Sequence, residues 1–411
     1  MTRVPELRFD GFAGEWEENI FDNLAEYKKG PFGSALKKSI FVPKSNETVK
    51  VYEQQNAIEK NWELERYFIT REYANKMENF NVGPGDLIVS CAGTIGEMYE
   101  LPNSAEEGII NQALMRIRVK DAIDKRFFNH IFDKMIGKSS ARLSNGSAIK
   151  NIPPFSDLKP HKTYVPIYNE QEKIGDLFSK IDQLIENQQE LVDQTMAFKK
   201  SMLQKMFPKK DSLVPKFRFE GFNDDWEISR LKNKTRLRGG FAFKSEFYTD
   251  FGVPILRISN INSDGTTNFD YVYYKEFEDD KNFTLEDGDI VLAMSGATTG
   301  KISVLNTDEK VYQNQRVGYF EKSELVNYKY LTAILKSDLF FQQLDRILIA
   351  GAQPNISAKE VEDFEFKFPS LEEQEKIGNF FKKLDEKIAR EEKLLDAYKD
   401  MKKSLLQKMF V

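Results

Sequence analysis

Two acid-free basic stretches hold the residue types best placed to do chemistry, and that chemistry is the neutralisation of phosphate. Residues 28–46 carry Lys28, Lys29, Lys37, Lys38 and Lys44 without an acid, with Phe32 and Phe41 interleaved. Residues 228–245 carry Arg230, Lys232, Lys234, Arg236, Arg238 and Lys244, again without an acid, beside Phe241 and Phe243. Cation rows of this kind pair with a phosphodiester backbone, while amide and guanidinium side chains read base edges. Gln54, Gln55, Asn56, Arg257 and Asn260 are of the reading type and stand near those rows. A solvated lysine-rich loop is the plain alternative for either stretch alone. Their recurrence at roughly equivalent places favours binding. The candidate nucleic-acid contacts are therefore Lys28, Lys29, Lys37, Lys38, Gln54, Gln55, Asn56, Arg236, Arg238, Lys244, Arg257 and Asn260.

Catalytic signatures fail on inspection. Residues 151–155 (NIPPF) come near the Asn/Asp-Pro-Pro-Phe/Tyr motif of adenine methyltransferases, but Ile152 splits it and no glycine-rich cofactor turn precedes it at a sensible distance. Residues 296–301 (GATTGK) are two residues short of a phosphate loop between their glycines, and Ile302 follows where Ser or Thr is needed. His130, His161 and Cys91 cannot make a convincing zinc site, and His130, on an aromatic helical face, reads as a packing residue. Neither a catalytic residue, a metal nor a cofactor is expected.

The elements that position the basic rows are duplicated. VPELRFDGFAGEWEE at 4–18 returns as VPKFRFEGFNDDWEI at 214–228, NEQEKIGDLFSKID at 169–182 returns as EEQEKIGNFFKKLD at 372–385, and each copy closes on KKSMLQKMF or KKSLLQKMF. A period near 200 residues is too long for a solenoid, so the repeat describes two domains, each followed by a helix. Trp16 and Trp226 are 210 apart but Gly85 and Gly288 only 203, so the copies differ in length inside one window, 17–84 against 227–287. There the sequences match least, as expected when one scaffold presents two contact surfaces. Strand composition marks 86–91, 113–119, 253–258, 289–294 and 316–321, and helical spacing marks 122–136 and 326–348. Turns rich in Gly, Asn and Gln recur at 93–96 with 296–300, at Asn111-Gln112 with Asn314-Gln315, and at 146–152 with 351–356.

The closing helices carry apolar residues in alternating steps of four and three. The first runs Ile174, Phe178, Ile181, Ile185, Val192, Met202 and Met206, with Gln188, Thr195 and Lys199 completing the register; the second runs Ile377, Phe381, Leu384, Ile388, Leu395, Tyr398, Leu405 and Met409, with Glu391 opposite Gln188 in the repeat. Both are heptad seams, and at 1.5 Å per residue each helix would be about 57 Å long. The economical pairing is antiparallel, with the second helix returning toward the first domain. The expected fold is mixed α/β, with two domains at 1–168 and 209–370 and two long helices at 169–208 and 371–411 forming an antiparallel coiled coil.

Composition bounds the rest. The 411 residues have one cysteine and a net charge of −5, so no internal disulfide forms and a polyanion surface must be local. No apolar run is long enough to span a membrane and the first residues lack a signal segment, so a cytoplasmic protein is expected.

The opening VPxLRFxGFxxxW phrase, GGFAFKSEFY, PILRISNI, GDIVLAMSGATTG, GAQPNIS, PSLEEQEKIGxFFxxLD and the closing LLQKMF together resemble the specificity subunit of Type I restriction-modification systems. The resemblance covers essentially the whole chain, twice. It implies two target recognition domains, each reading one half of an interrupted asymmetric site in double-stranded DNA, with the helices as a ruler. It also implies partners: two methyltransferase subunits carrying cofactor and adenine chemistry, and restriction subunits that cleave. Residues 146–152 (GSAIKNI) depart from the GAQPNI pattern. A scaffold whose end domains bind proteins and not DNA is the alternative from another class.

Overall fold

The doubled phrase folds the same way twice. The computed structural model describes residues 3–143, 158–350 and 355–411, without the side chains of 137–143 and 350. The recurring turns at 146–152 and 351–354 and the NIPPF segment lie outside the described residues, apart from Asn355 and Ile356. The chain divides into two units, Met1–Asn187 with Leu395–Val411, and Gln188–Leu394.

In the first unit Glu17–Ile20 pairs antiparallel with Lys162–Val165. A four-stranded antiparallel sheet follows in the order Ala25–Lys29, Leu114–Val119, Leu87–Ser90 and Met98–Glu100, and a mixed four-stranded sheet in the order Tyr67–Thr70, Thr48–Tyr52, Gly108–Ile110 and Asn81–Val82. The second unit repeats the scheme: Glu227–Arg230 pairs with Glu365–Phe368, and Leu237–Gly239, Val317–Phe320, Ile290–Ala293 and Ile302–Val304 form the four-stranded sheet. Its other sheet has five strands, ordered Tyr248–Thr249, Val272–Tyr274, Val253–Leu256, Val311–Gln313 and Thr284–Leu285. In each unit one pair is parallel, Thr48–Tyr52 with Gly108–Ile110 and Val253–Leu256 with Val311–Gln313. The helix predicted over 326–348 is two helices, Tyr328–Leu335 and Asp338–Ala350. The break falls at Lys336-Ser337, where the buried Ser337 hydroxyl donates to the Ile334 carbonyl at 2.6 Å and competes with helical continuation.

The repeated EQEKIG phrase attaches each long helix, Tyr168–Lys205 or Leu371–Met409, to its unit. Arg8 donates Nε and Nη2 to the two oxygens of Glu170 at 2.8 Å each, and Arg218 does the same to Glu373 at 2.8 Å each. Next along the helix, Gln171 accepts from the Asp124 N–H at 2.9 Å and donates to the Pro166 carbonyl at 2.9 Å; Gln374 accepts from Asn327 N–H and donates to Pro369 at the same distances. A methyl group on Gly175 would lie 2.6 Å from Asp124 Oδ1, and one on Gly378 would lie 2.6 Å from the Tyr330 backbone nitrogen. Glycine is therefore required where the helix crosses its own unit.

The heptad positions are turned inward. In the first unit Ile174, Phe178 and Ile181 join Trp16, Phe127, Phe128 and Leu158 in one core that also takes in Met409 and Phe410, with Ile185 and Leu405 against its edge. In the second, Met202, Met206 and Phe207 share a core with Trp226, Tyr330, Ile377 and Phe381, and Leu384 packs against it. These residues thus belong to domain cores as well as to a helix–helix contact. Ile388 is also buried. Within the second unit Gln188 Nε2 donates to Glu391 Oε2 at 2.8 Å and Lys199 pairs with Asp385, so residue numbers rise along one helix as they fall along the other.

His130 is buried, with its ring 4.8 Å from that of Phe178. Burial, aided by Lys402 and opposed by Asp182, pushes the imidazole down to about 4. Between pH 6.5 and 4 the unfolded chain takes up a proton that the folded chain refuses, so this contribution is whole above 6.5 and is lost as pH falls. At about 1.4 kcal/mol per pH unit the expected loss is about 2 kcal/mol at pH 5. His130→Phe should therefore show a smaller fall in Tm between pH 7 and pH 5 than the parent chain; equal falls would assign the acid sensitivity elsewhere. Among the described residues, no helix is long and apolar enough to cross a membrane.

Candidate nucleic-acid interface

Three strand ends meet at one turn in each unit. In the first, the parallel strands Thr48–Tyr52 and Gly108–Ile110 finish together, and the Asn111 N–H donates to the Tyr52 carbonyl at 3.0 Å. Strand Ala25–Lys29 arrives beside them, with Lys29 opposite Met115. The chain then crosses the Asn111-Gln112 turn at Gly30, where a methyl group would lie 1.8 Å from the Asn111 carbonyl oxygen. In the second unit Asn314 N–H donates to Leu256 at 3.1 Å, and a methyl on Gly240 would lie 2.3 Å from the Asn314 oxygen. Both basic stretches thus pass over a strand-end turn.

Beyond the crossing the copies part. Gly30 and Gly240 are 210 residues apart but Asn56 and Asn260 only 204, so most of the length difference falls in the segment that holds Lys37, Lys38 and Lys44. Lys28, Lys29, Pro31, Phe32 and Phe80 line a shallow depression there, with the Lys28 Nζ 5.0 Å from the Phe80 ring centre. Phe32 is 89 % exposed. Lys29, Lys37 and Lys38 are exposed and have no side-chain partner among the described residues, whereas Lys44 is held by Glu65 at 2.5 Å. That bond raises the Lys44 pKa above its ordinary value. In the second unit Arg236 and Lys244 are exposed, the latter 3.9 Å from Glu246. Acids from outside the stretch engage its first half: Lys232 pairs with Asp363 at 2.7 Å, Arg230 with Glu365 at 3.3 Å and Lys234 with Glu227 at 3.3 Å.

Several expected base readers have structural work instead. Asn56 and Asn260 are 2 % and 1 % exposed. Asn56 accepts from Glu53 N–H at 2.8 Å and donates to the carbonyls of Asn61 and Leu64 at 3.0 Å each; Asn260 accepts from Arg257 N–H at 2.9 Å and donates to Asn268 Oδ1 and the Asp270 carbonyl at 3.0 Å each. Each amide closes its own loop, leaving no edge for a base, and both leave the set of readers. Arg238 is half-buried, 4.6 Å over the Tyr319 ring and bonded to the Thr284 carbonyl at 3.1 Å, which suits a packing role. Arg257 donates to the Asp270 carbonyl at 3.2 Å, and Gln55 donates to Glu59. Gln54 is half-buried and its Oε1 is enclosed without a partner among the described residues. The exposed side chains of Gln112, Gln315 and Arg316, on the strand-end turns, were not among the expected contacts. Their signal was the recurring Asn-Gln pair, which reads equally well as an ordinary turn.

The model of the Type I restriction modification DNA specificity domain matches residues 14–194 and again 223–398. The chain is 26 % identical over 340 residues to the Type I restriction enzyme MjaVIII specificity subunit of Methanocaldococcus jannaschii, covering 79 % of this chain and 78 % of that one. It is 32 % identical over 191 residues to the EcoAI specificity subunit of Escherichia coli, covering 44 % of this chain and 32 % of that one. In fold it is similar to the crystal structure of a Type I restriction-modification S subunit from M. genitalium, with a TM-score of 0.64 at 18 % identity over 99 % of both chains. A chain from a structural study of complex assembly and conformational transition in the Type I system matches with a TM-score of 0.52 at 14 % identity, over 96 % of this chain and 97 % of that one.

Proposed function

The chain belongs to the Type I restriction-modification DNA specificity family, as a non-catalytic DNA-recognition subunit, and from that premise we propose that it reads a bipartite, asymmetric site, one half-site per unit. The observation that carries this reading is the doubled strand-end turn, with one backbone crossing and different side chains around it in each copy. Lys28, Lys29, Lys37 and Lys38 in one unit, and Arg236 and Lys244 in the other, supply the phosphate contacts. The two long helices form an antiparallel coiled coil that sets the distance between half-sites. Two methyltransferase subunits dock on this chain and bring the cofactor and the adenine chemistry, and restriction subunits bring cleavage. The complex works on cytoplasmic DNA.

The test is salt dependence. Lys37→Ala with Lys38→Ala should weaken binding of the assembled methyltransferase complex to duplex DNA without altering the sequence preferred. The slope of log K against log salt should become shallower by about 0.9 for each phosphate no longer neutralised, or about 2 for the pair. An unchanged slope and affinity would favour a scaffold whose end domains bind protein.

A further inference from the structure

We propose that the turns Gln112-Ala113 and Gln315-Arg316 are the base-edge binding sites of the two units, and that Ala113 against Arg316 is one source of their different specificities. The inference rests on the reading of the chain as a DNA specificity subunit and names the contacts within it.

A reader must be free to meet a base and must stand on backbone that does not move. Gln112, Gln315 and Arg316 are exposed, and their side chains have no partner among the described residues. The backbone beneath them is fixed on several sides. Asn111 and Asn314 are tied through their N–H groups to the carbonyls of Tyr52 and Leu256. Their side-chain oxygens turn back to accept from Ala113 N–H at 2.9 Å and Arg316 N–H at 3.3 Å. The carbonyls of Ala113 and Arg316 accept from Cys91 at 2.8 Å and Met294 at 2.9 Å, joining the turn to the neighbouring sheet. In the second unit Gln315 N–H also donates to the Phe241 carbonyl at 2.9 Å. The asparagine is consumed by the turn, so the glutamine is the first side chain free to project.

The setting supplies a ligand class. In the first unit the Gln112 amide lies beside Gly33, whose added methyl would sit 4.0 Å from the amide carbon, next to the depression lined by Lys28, Lys29 and Phe32. A glutamine amide presents a donor and an acceptor that match N7 and N6 of adenine, and an arginine fork matches O6 and N7 of guanine. One backbone thus offers an amide in both units and adds a guanidinium in only one. The second unit is accordingly expected to require a purine pair, adenine next to guanine, where the first requires adenine alone.

The test uses the full chain assembled with its methyltransferase partners, in a binding selection from duplexes degenerate across both half-sites. Arg316→Ala is expected to abolish preference for guanine at one position of one half-site, with discrimination there falling about tenfold to a hundredfold. The rest of that half-site, the other half-site and the spacer should stay as in the parent. Arg316→Lys should bind mixed-sequence duplex as tightly as the parent and keep only part of the guanine preference, since an ammonium can donate to guanine O6 and N7 but lacks the planar fork. Gln315→Ala and Gln112→Ala should each relax one position, in opposite half-sites. If Arg316→Ala and both glutamine variants select the parental sequence with only a uniform loss of affinity, these side chains contact backbone and the proposal is wrong. If the parent complex selects no bipartite sequence, the function proposed above fails first and takes this inference with it.

Discussion

Replacing Arg218 by alanine is expected to destabilise the second unit by about 3–5 kcal/mol, because it strands a buried charge. The Glu373 side chain is 1 % exposed and its two oxygens are held only by the Arg218 fork at 2.8 Å among the side-chain contacts described. Without the guanidinium, a carboxylate is left in a site that water does not reach, at the start of the helix that closes the unit. The hydrogen bonds to the Glu373 carboxylate in turn raise the Arg218 pKa above its ordinary value. Arg8→Ala should act on the first unit in the same way, because Glu170 is 0 % exposed there. Urea unfolding followed by circular dichroism measures the effect. The double replacement Arg218→Met with Glu373→Leu should recover most of the loss, because it removes the stranded charge along with its partner. A loss below about 1 kcal/mol in Arg218→Ala would mean that the pair is solvated like an exposed one.

This pair also shows what was legible in the sequence and what was not. The phrases RFDGF with EQEKIG and RFEGF with EQEKIG announce a repeat, and heptad spacing marks the faces that turn inward, because both are patterns in residue type along the chain. That Arg8 reaches Glu170, or that Gly175 is required where a helix meets Asp124, depends on contacts between residues far apart in sequence. Asn56 and Asn260 illustrate the same limit from the other side. An asparagine three residues after Glu53 or Arg257 can read a base or close a loop with equal chemistry, and only its burial decides between the two. The basic rows were half legible. Composition shows no acid within 228–245, yet Asp363, Glu365 and Glu227 reach Lys232, Arg230 and Lys234 from elsewhere, leaving Arg236 and Lys244 as the less engaged charges.

Deleting one heptad from each long helix, residues 184–190 together with 387–393, is expected to leave both half-sites intact and shorten the spacer between them by about three base pairs. Seven helical residues span about 10 Å, and a base pair rises about 3.4 Å. The matched deletion removes Gln188 together with Glu391, its bonded partner, and leaves the heptad phase of both helices unchanged. It spares the Arg8–Glu170 and Arg218–Glu373 attachments, so each unit should remain folded on its own helix start. Three base pairs also turn the duplex by roughly a third of a helical repeat, so the methylation rate should fall while the motif stays sharp. Deleting the heptad from the first helix alone is a stronger perturbation, because it shortens one helix against the other, so that Ile174 and Phe178 with Met409, and Lys199 with Asp385, can no longer all keep their register. That variant should give no coherent motif. Mapping methylated adenines across a genome carrying each variant with its methyltransferase partner reads out half-sites and spacer together. If the matched deletion methylates at the parental spacing, the helices do not set the distance, and the spacing must reside in the partners or in the DNA.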